Sequence, residues 1–248
     1  MAPAAPMAPR ERRFMTHQFV AAVTDSLANF TYYAPQYAHL LELCAGDSAR
    51  MGIYITTQRS IQAAATALLA PALGALSDTI GRRPLLALWN LGWLLRPLAM
   101  VRTTSLASRL VCDTITIALL GAGGPPARGA AFGDLFSDRP ELSTALQSRV
   151  GMVVQAANLV SASVGQLIAA RWGAERTFLA SACFAAVSLT CVVTNIETLK
   201  PEDRRPLALR SVNPLRNIAI LFVNGARLRS LAFGTLLFQF AWSMNGAQ

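Results

Sequence analysis

The 248-residue chain is 53% hydrophobic and only 14% charged, with a mean hydropathy of +0.39, whereas about a quarter of the residues in an ordinary soluble domain carry charge. Its net charge of +9 arises from 22 basic against 13 acidic residues, a balance that in a soluble protein would suggest nucleic acid. Here the arginines fall between apolar stretches, with no basic patch interleaved with aromatics, which weighs against a nucleic-acid partner and points to a lipid bilayer. Cys44, Cys112, Cys183 and Cys191 show no ligand spacing, and His17 and His39 stand far apart, so neither a metal nor a cofactor is expected.

In chain order, residues 1–13 form a Pro/Ala-rich, then basic tail. The first apolar run, 14–33, carries Asp25 and Asn29 and lacks a small-residue cleavage site, so it reads as a retained helix rather than a signal peptide. Further runs cover 51–76, 85–101, 106–132, 150–171 and 174–195, each near the ~20 residues that a hydrocarbon core about 30 Å thick requires. A polar, Arg-rich stretch, 196–210, leads through an amphipathic segment, 214–229, into a last run, 230–247. The expected fold is an all-α, polytopic membrane bundle of six spanning helices over 14–195, then a linker over 196–229 and part of a seventh helix over 230–248.

Counting Lys and Arg on alternate sides gives fifteen on the side of the amino terminus and five on the other, with Arg59 and Arg96 inside helices. The positive-inside rule therefore makes the amino terminus and the 196–213 loop cytoplasmic in an integral, multi-pass protein.

Several polar residues interrupt the apolar runs. Gln18, Asp25 and Asn29 share one face of the first helix. A carboxylate at that depth is costly unless it faces water or a partner, so Asp25 reads either as an inward-facing group that couples to protons or holds a solute, or as a structural hydrogen-bonding group. Arg109, Asp113 and Thr116 share a face of the fourth run, where the i, i+4 pair either neutralises itself or lines a cavity. Gln155 and Asn158 followed by Ala162 and Gly165 suit a cavity wall or tight helix packing equally. Arg59 and Arg96 are expected to snorkel from the outer halves of the second and third helices. No H-E-x-x-H, G-x-S-x-G or phosphate-cradling loop occurs, so an enzyme is not expected.

The loop at 74–84 reads GALSDTIGRRP. Through Gly74, Asp78, Gly81, Arg82 and Arg83 it resembles the G-x-x-x-D-x-x-G-R-[RK] signature that major facilitator superfamily transporters carry between their second and third helices. The F-x-x-x-x-x-D of the first helix, Gly133-Asp134-Leu135 ending the fourth, Arg149 heading the fifth and Glu197-Thr198-Leu199 after the sixth are also similar to that family. The resemblance implies two three-helix inverted repeats and alternating-access transport of a small solute, facilitated or coupled to protons or another ion, in which a second half, if carried by another chain, would be a partner. It further implies that Arg82 pairs with Asp134 as a latch, and that Gly74 and Gly81 permit a close helix approach and a tight turn. The fifth run lacks the G-P-x-x-G-G-like element of proton-driven drug exporters, and Asp113 stands where the fourth-helix pattern has glycine. The alternatives are a non-transporting membrane scaffold and a truncated product that needs a second half.

Overall fold

The computed structural model describes residues 7–119 and 123–207, together with 223, 225, 226, 229, 230, 233 and 234. The amphipathic segment expected over 214–229 and the seventh run expected over 230–247 lie almost wholly outside the described residues. The rest is helical, with no strand among the described residues: α1 (Pro9–Leu43), α2 (Ser48–Ile80), α3 (Arg82–Arg102), α4 (Leu106–Asp113), a π-helical turn (Thr114–Leu119), α5 (Gly124–Leu135), α6 (Pro140–Thr194) and a 3-10 turn (Pro201–Asp203). Together α4, the π turn and α5 make the fourth span, while α6 contains the fifth and sixth, divided at Gly173 where φ is 83°.

Local chemistry sets the helix starts. Asp47 accepts hydrogen bonds from the backbone N–H groups of Ala49 (2.9 Å) and Arg50 (3.1 Å) and so caps α2. Ser105 does the same for α4 through Ser108 N–H (3.2 Å). Pro9 opens α1, where its missing N–H costs nothing, and Glu11 reaches back to accept from Ala8 N–H (2.8 Å). Helix α1 thus begins five residues before the apolar run that suggests it. The fourth run, expected as one unbroken helix over 106–132, is interrupted: Thr114 and Thr116 with their β-branched neighbours Ile115 and Ile117 adopt the wider π turn.

By length and composition α2, α3 and α6 are each apolar enough to cross a membrane. Helix α1 packs along α6, and α3 lies against the same helix. Phe14, Ala22, Phe132, Leu146 and Val150 form one core layer, Leu85, Leu86, Ala127 and Val192 the next, and Tyr32, Met100 and Phe178 a third. Interhelical hydrogen bonds stitch the layers: Ser181 Oγ donates to the Ala28 carbonyl (2.7 Å) and Ser188 Oγ to Asn90 Oδ1 (2.7 Å), each contributing roughly 0.6 kcal/mol in lipid. Large apolar side chains such as Ile53, Leu68, Leu159 and Leu167 point outward, as on helices bathed in lipid.

At Gly165 α6 comes close to α1, since a Cβ there would stand 2.9 Å from Thr31 Cα and 3.1 Å from the Phe30 carbonyl oxygen. Backbone cannot step aside as a flexible side chain can. Gly165→Val is therefore expected to destabilise the bundle by about 1–3 kcal/mol, read as a lower melting temperature of the purified chain. Wild-type melting would show that the two helices do not meet there. At Gly74, by contrast, a Cβ would meet nothing within 4 Å among the described residues.

Candidate functional site

At the end of the bundle that holds the amino terminus, the GALSDTIGRRP turn brings four chain segments together. Gly81 takes φ 109°, in the left-handed region, between α2 and α3. It has no side chain to cap α3, and Glu197 supplies the cap instead, accepting from the backbone N–H of Arg82 (2.9 Å) and Arg83 (3.1 Å). A Cβ at Gly81 would crowd that carboxylate and be strained by the positive φ, so a side chain there would displace the Glu197 cap. The anion also complements the positive end of the helix dipole.

Arg82 is the hub. Its Nε donates to Asp134 Oδ2 at the end of α5 (2.9 Å), and its Nη1 donates to Ser77 Oγ (2.9 Å) and to Asp78, both on α2. Its side chain is 9% exposed and that of Asp134 23%. The pairing of Arg82 with Asp134 is the contact the resemblance implies, and Asp78 shares the same guanidinium. Arg83 is exposed and donates to the Asn195 carbonyl (3.3 Å), while Arg149 is exposed on α6 and bonds to none of these groups. A cleft of about 960 Å³ opens beside the hub, bordered by Glu11, Asp78, Arg82, Asp134, Lys200 and Arg205. On its rim the Ser137 hydroxyl donates to Asp138 (2.8 Å) and holds that carboxyl below its usual range, so it stays ionised.

Deeper in the bundle lies a cavity of about 170 Å³ whose largely apolar wall includes Trp89 and Trp93 and is interrupted by Asp25, Asn29, Arg128 and Asn158. A larger recess of about 360 Å³ shares Trp89, Arg128 and Val154 with it and adds Gln155. Asp25 Oδ2 accepts from Arg128 Nη2 (3.3 Å), and the guanidinium lies 4.4 Å from the Trp89 ring centroid. Asp25 Oδ1, Asn29 Oδ1 and Arg128 Nε are buried without a partner among the described residues. Gln18 shares their helical face but lies nearer the Arg82 end, beside Phe14, Leu86 and Val192, and lines neither cavity. Arg128, counted with the basic side by charge alone, is in fact within α5.

Towards the opposite end a second ionic cluster is fully enclosed. Asp113 Oδ1 accepts from Arg96 Nε (2.9 Å) and Oδ2 from Gln58 Nε2 (2.7 Å). Arg109, one turn before it on α4, comes only to 3.7 Å of Oδ2. The expected i, i+4 pair therefore takes second place to a contact between helices. Arg96 does not snorkel: it is 2% exposed, with its guanidinium 4.3 Å from the Tyr32 ring centroid.

Three participants are present in the sequence reading without their partners: Glu197 only through its resemblance, Arg96 as a snorkelling residue and Arg128 as one of the basic-side charges. Glu197 carries a signal, an acidic residue just after a helix that ends beside an uncapped glycine turn. Arg96 and Arg128 carry none, because their partners lie on other helices.

Comparison with known proteins agrees with this architecture. The family model described as Major Facilitator Superfamily matches residues 18–247. Among solved structures, the crystal structure of the human organic anion transporter MFSD10 (TETRAN) is similar, with a TM-score of 0.65 at 22% identity over 91% of this chain and 60% of that one. The chain thus spans about 60% of the length of that transporter. No curated protein matches.

Proposed function

The chain belongs to the major facilitator superfamily and is an integral, multi-pass membrane protein, and on that premise we propose that it moves a small solute across the membrane by alternating access. The observation that carries the reading is the Asp25–Arg128 pair in a cavity between Trp89, Trp93 and Asn158. Ionisable groups inside a membrane bundle are expensive, and a pair whose side chains line a cavity while further polar atoms of theirs stay unpartnered beneath its wall is a site for a solute or a coupling proton. Asn29, Gln155 and Asn158 add polar groups to the wall. The neighbour's description as an organic anion transporter makes an anionic solute, drawn to Arg128, the first class to test. The opposite wall of the cavity would come from further helices, on this chain or on another.

In this reading the amino-terminal end is cytoplasmic, and Arg82 with Asp134 latches it. The pair joins the start of α3 to the end of α5, so it must break when those ends part. The pair is mostly shielded, at 9% and 23% exposure, but it borders the open cleft where water screens it. Its net contribution is therefore about 1 kcal/mol or less, too little to fold the bundle, yet enough to bias a poised transition two- to fivefold.

The test places a single cysteine at Asn158 in a background without the native four and measures its modification by a membrane-impermeant maleimide from the cytoplasmic side. Arg82→Asp is expected to raise that rate about two- to fivefold, and adding Asp134→Arg to lower it again at unchanged membrane abundance. A double variant no better than the single one would leave both residues as topogenic charges.

A further inference from the structure

We propose that the enclosed cluster of Arg96, Arg109 and Asp113 binds a small monovalent anion of chloride's size, at a site separate from the Asp25–Arg128 cavity. The first argument is charge. Both guanidiniums are permanently protonated, and among the described residues Asp113 is the one carboxylate placed against them. Arg109 and Asp113 are 0% exposed and Arg96 2%, so the cluster holds a surplus positive charge out of reach of water. Glu42, at the end of α1, does not compensate it: its side chain is 79% exposed and pairs with His39 at 3.8 Å.

The second argument is hydrogen bonding. Both oxygens of Asp113 are engaged, by Arg96 and by Gln58. That leaves Nε, Nη1 and Nη2 of Arg109, Nη1 of Arg96, and the hydroxyls of Tyr32 and Tyr54 buried without a partner among the described residues. Tyr32 lies under the Arg96 guanidinium, and Tyr54 packs against Leu106 and Leu110, which flank Arg109 on α4. Every one of these groups can donate. Buried donors with no acceptor are strongly unfavourable, and although the two hydroxyl oxygens could each accept, the guanidinium N–H groups outnumber them, so the cluster is short of acceptors and of one negative charge.

A single small anion supplies both. It brings the net charge of the cluster to zero and accepts from several N–H and O–H groups at once, whereas a divalent anion would leave a surplus negative charge in the same dry space. A water molecule would satisfy some donors but not the charge. Because the ligating groups come from α1, α2, α3 and α4, a bound anion holds those four helices together and would leave when they separate.

The test is thermal unfolding of the full chain in lipid nanodiscs, at constant ionic strength, with sodium chloride or bromide replacing sodium gluconate. The melting temperature is expected to rise saturably with chloride and with bromide. Arg109→Gln should abolish the dependence. Two milder variants must move the half-saturating chloride concentration in opposite directions: Tyr54→Phe, which loses one donor, raises it about three- to tenfold, and Asp113→Asn, which adds to the surplus charge, lowers it. Equal melting in chloride and gluconate, an unaltered response in Arg109→Gln, or a shift of both milder variants in the same direction would overturn the site. If Arg109→Gln does not fold, the opposed pair decides. The readout is independent of solute transport, so the site stands or falls apart from the proposed function.

Discussion

Replacing Asp113 by leucine is expected to destabilise the bundle by about 3–5 kcal/mol, the cost of breaking a buried ion pair by removing one partner. The carboxylate is 0% exposed and receives hydrogen bonds from both Arg96 and Gln58. Without it two guanidiniums face each other with no carboxylate between them, and, unlike asparagine, leucine also takes away the acceptor for Gln58 and Arg96. The repulsion is added to lost hydrogen bonding, which places this change above an ordinary core substitution. Combining Asp113→Leu with Arg96→Met should recover part of the loss, because one cation then remains instead of two. Melting temperature and yield of folded protein, measured for both variants, check the expectation. A single variant that melts like wild type would mean that the cluster is hydrated rather than dry.

The second large effect separates folding from function. Asp25→Leu leaves Arg128 without its carboxylate at a site where the two side chains are 17% and 26% exposed. The expected loss is roughly 3 kcal/mol, at the low end for a buried pair because water reaches part of it. Adding Arg128→Leu removes the orphaned charge, and isosteric apolar replacement of a buried pair is often neutral. The double variant should therefore return to wild-type abundance and melting. If the pair serves solute or coupling-proton binding, exchange between the two access states should remain lost in the double variant. Recovery of both together would instead make Asp25 and Arg128 a structural pair, as in a non-transporting scaffold.

Periodicity and spacing along the chain carry much of this architecture, because a bilayer imposes length and apolarity that a single sequence displays. The all-α class, the six spans and the placement of Gly81, Arg82 and Asp134 at one end follow from run lengths, alternating charge and the signature loop. Asp25 stands out as a carboxylate within an apolar run. What a one-dimensional pattern lacks is the partner on another helix. Arg96 and Asp113 are 17 positions apart across a turn, and Arg128 lies 103 positions from Asp25, so neither pairing leaves a local spacing to read. Arg128 also sits near the end of its run, where charge counting treats any arginine as topogenic. The π turn is hidden for another reason: its apolar and β-branched residues continue the hydropathy of the fourth run without a break.

If one cavity, lined by Asp25, Arg128 and Asn158, is reached alternately from the two faces of the membrane, the Asn158→Cys chain in oriented proteoliposomes reads it directly. Impermeant maleimide is applied to either side before and after the Arg82 end is held shut by a disulfide between Arg82→Cys and Asp134→Cys, with the four native cysteines replaced and modification scored on the peptide that carries position 158. Position 158 is expected to be modified from both faces while the latch is free, and from the far face only once it is locked, with full reactivity restored by reductant. Modification from a single face, unchanged by locking, would contradict it.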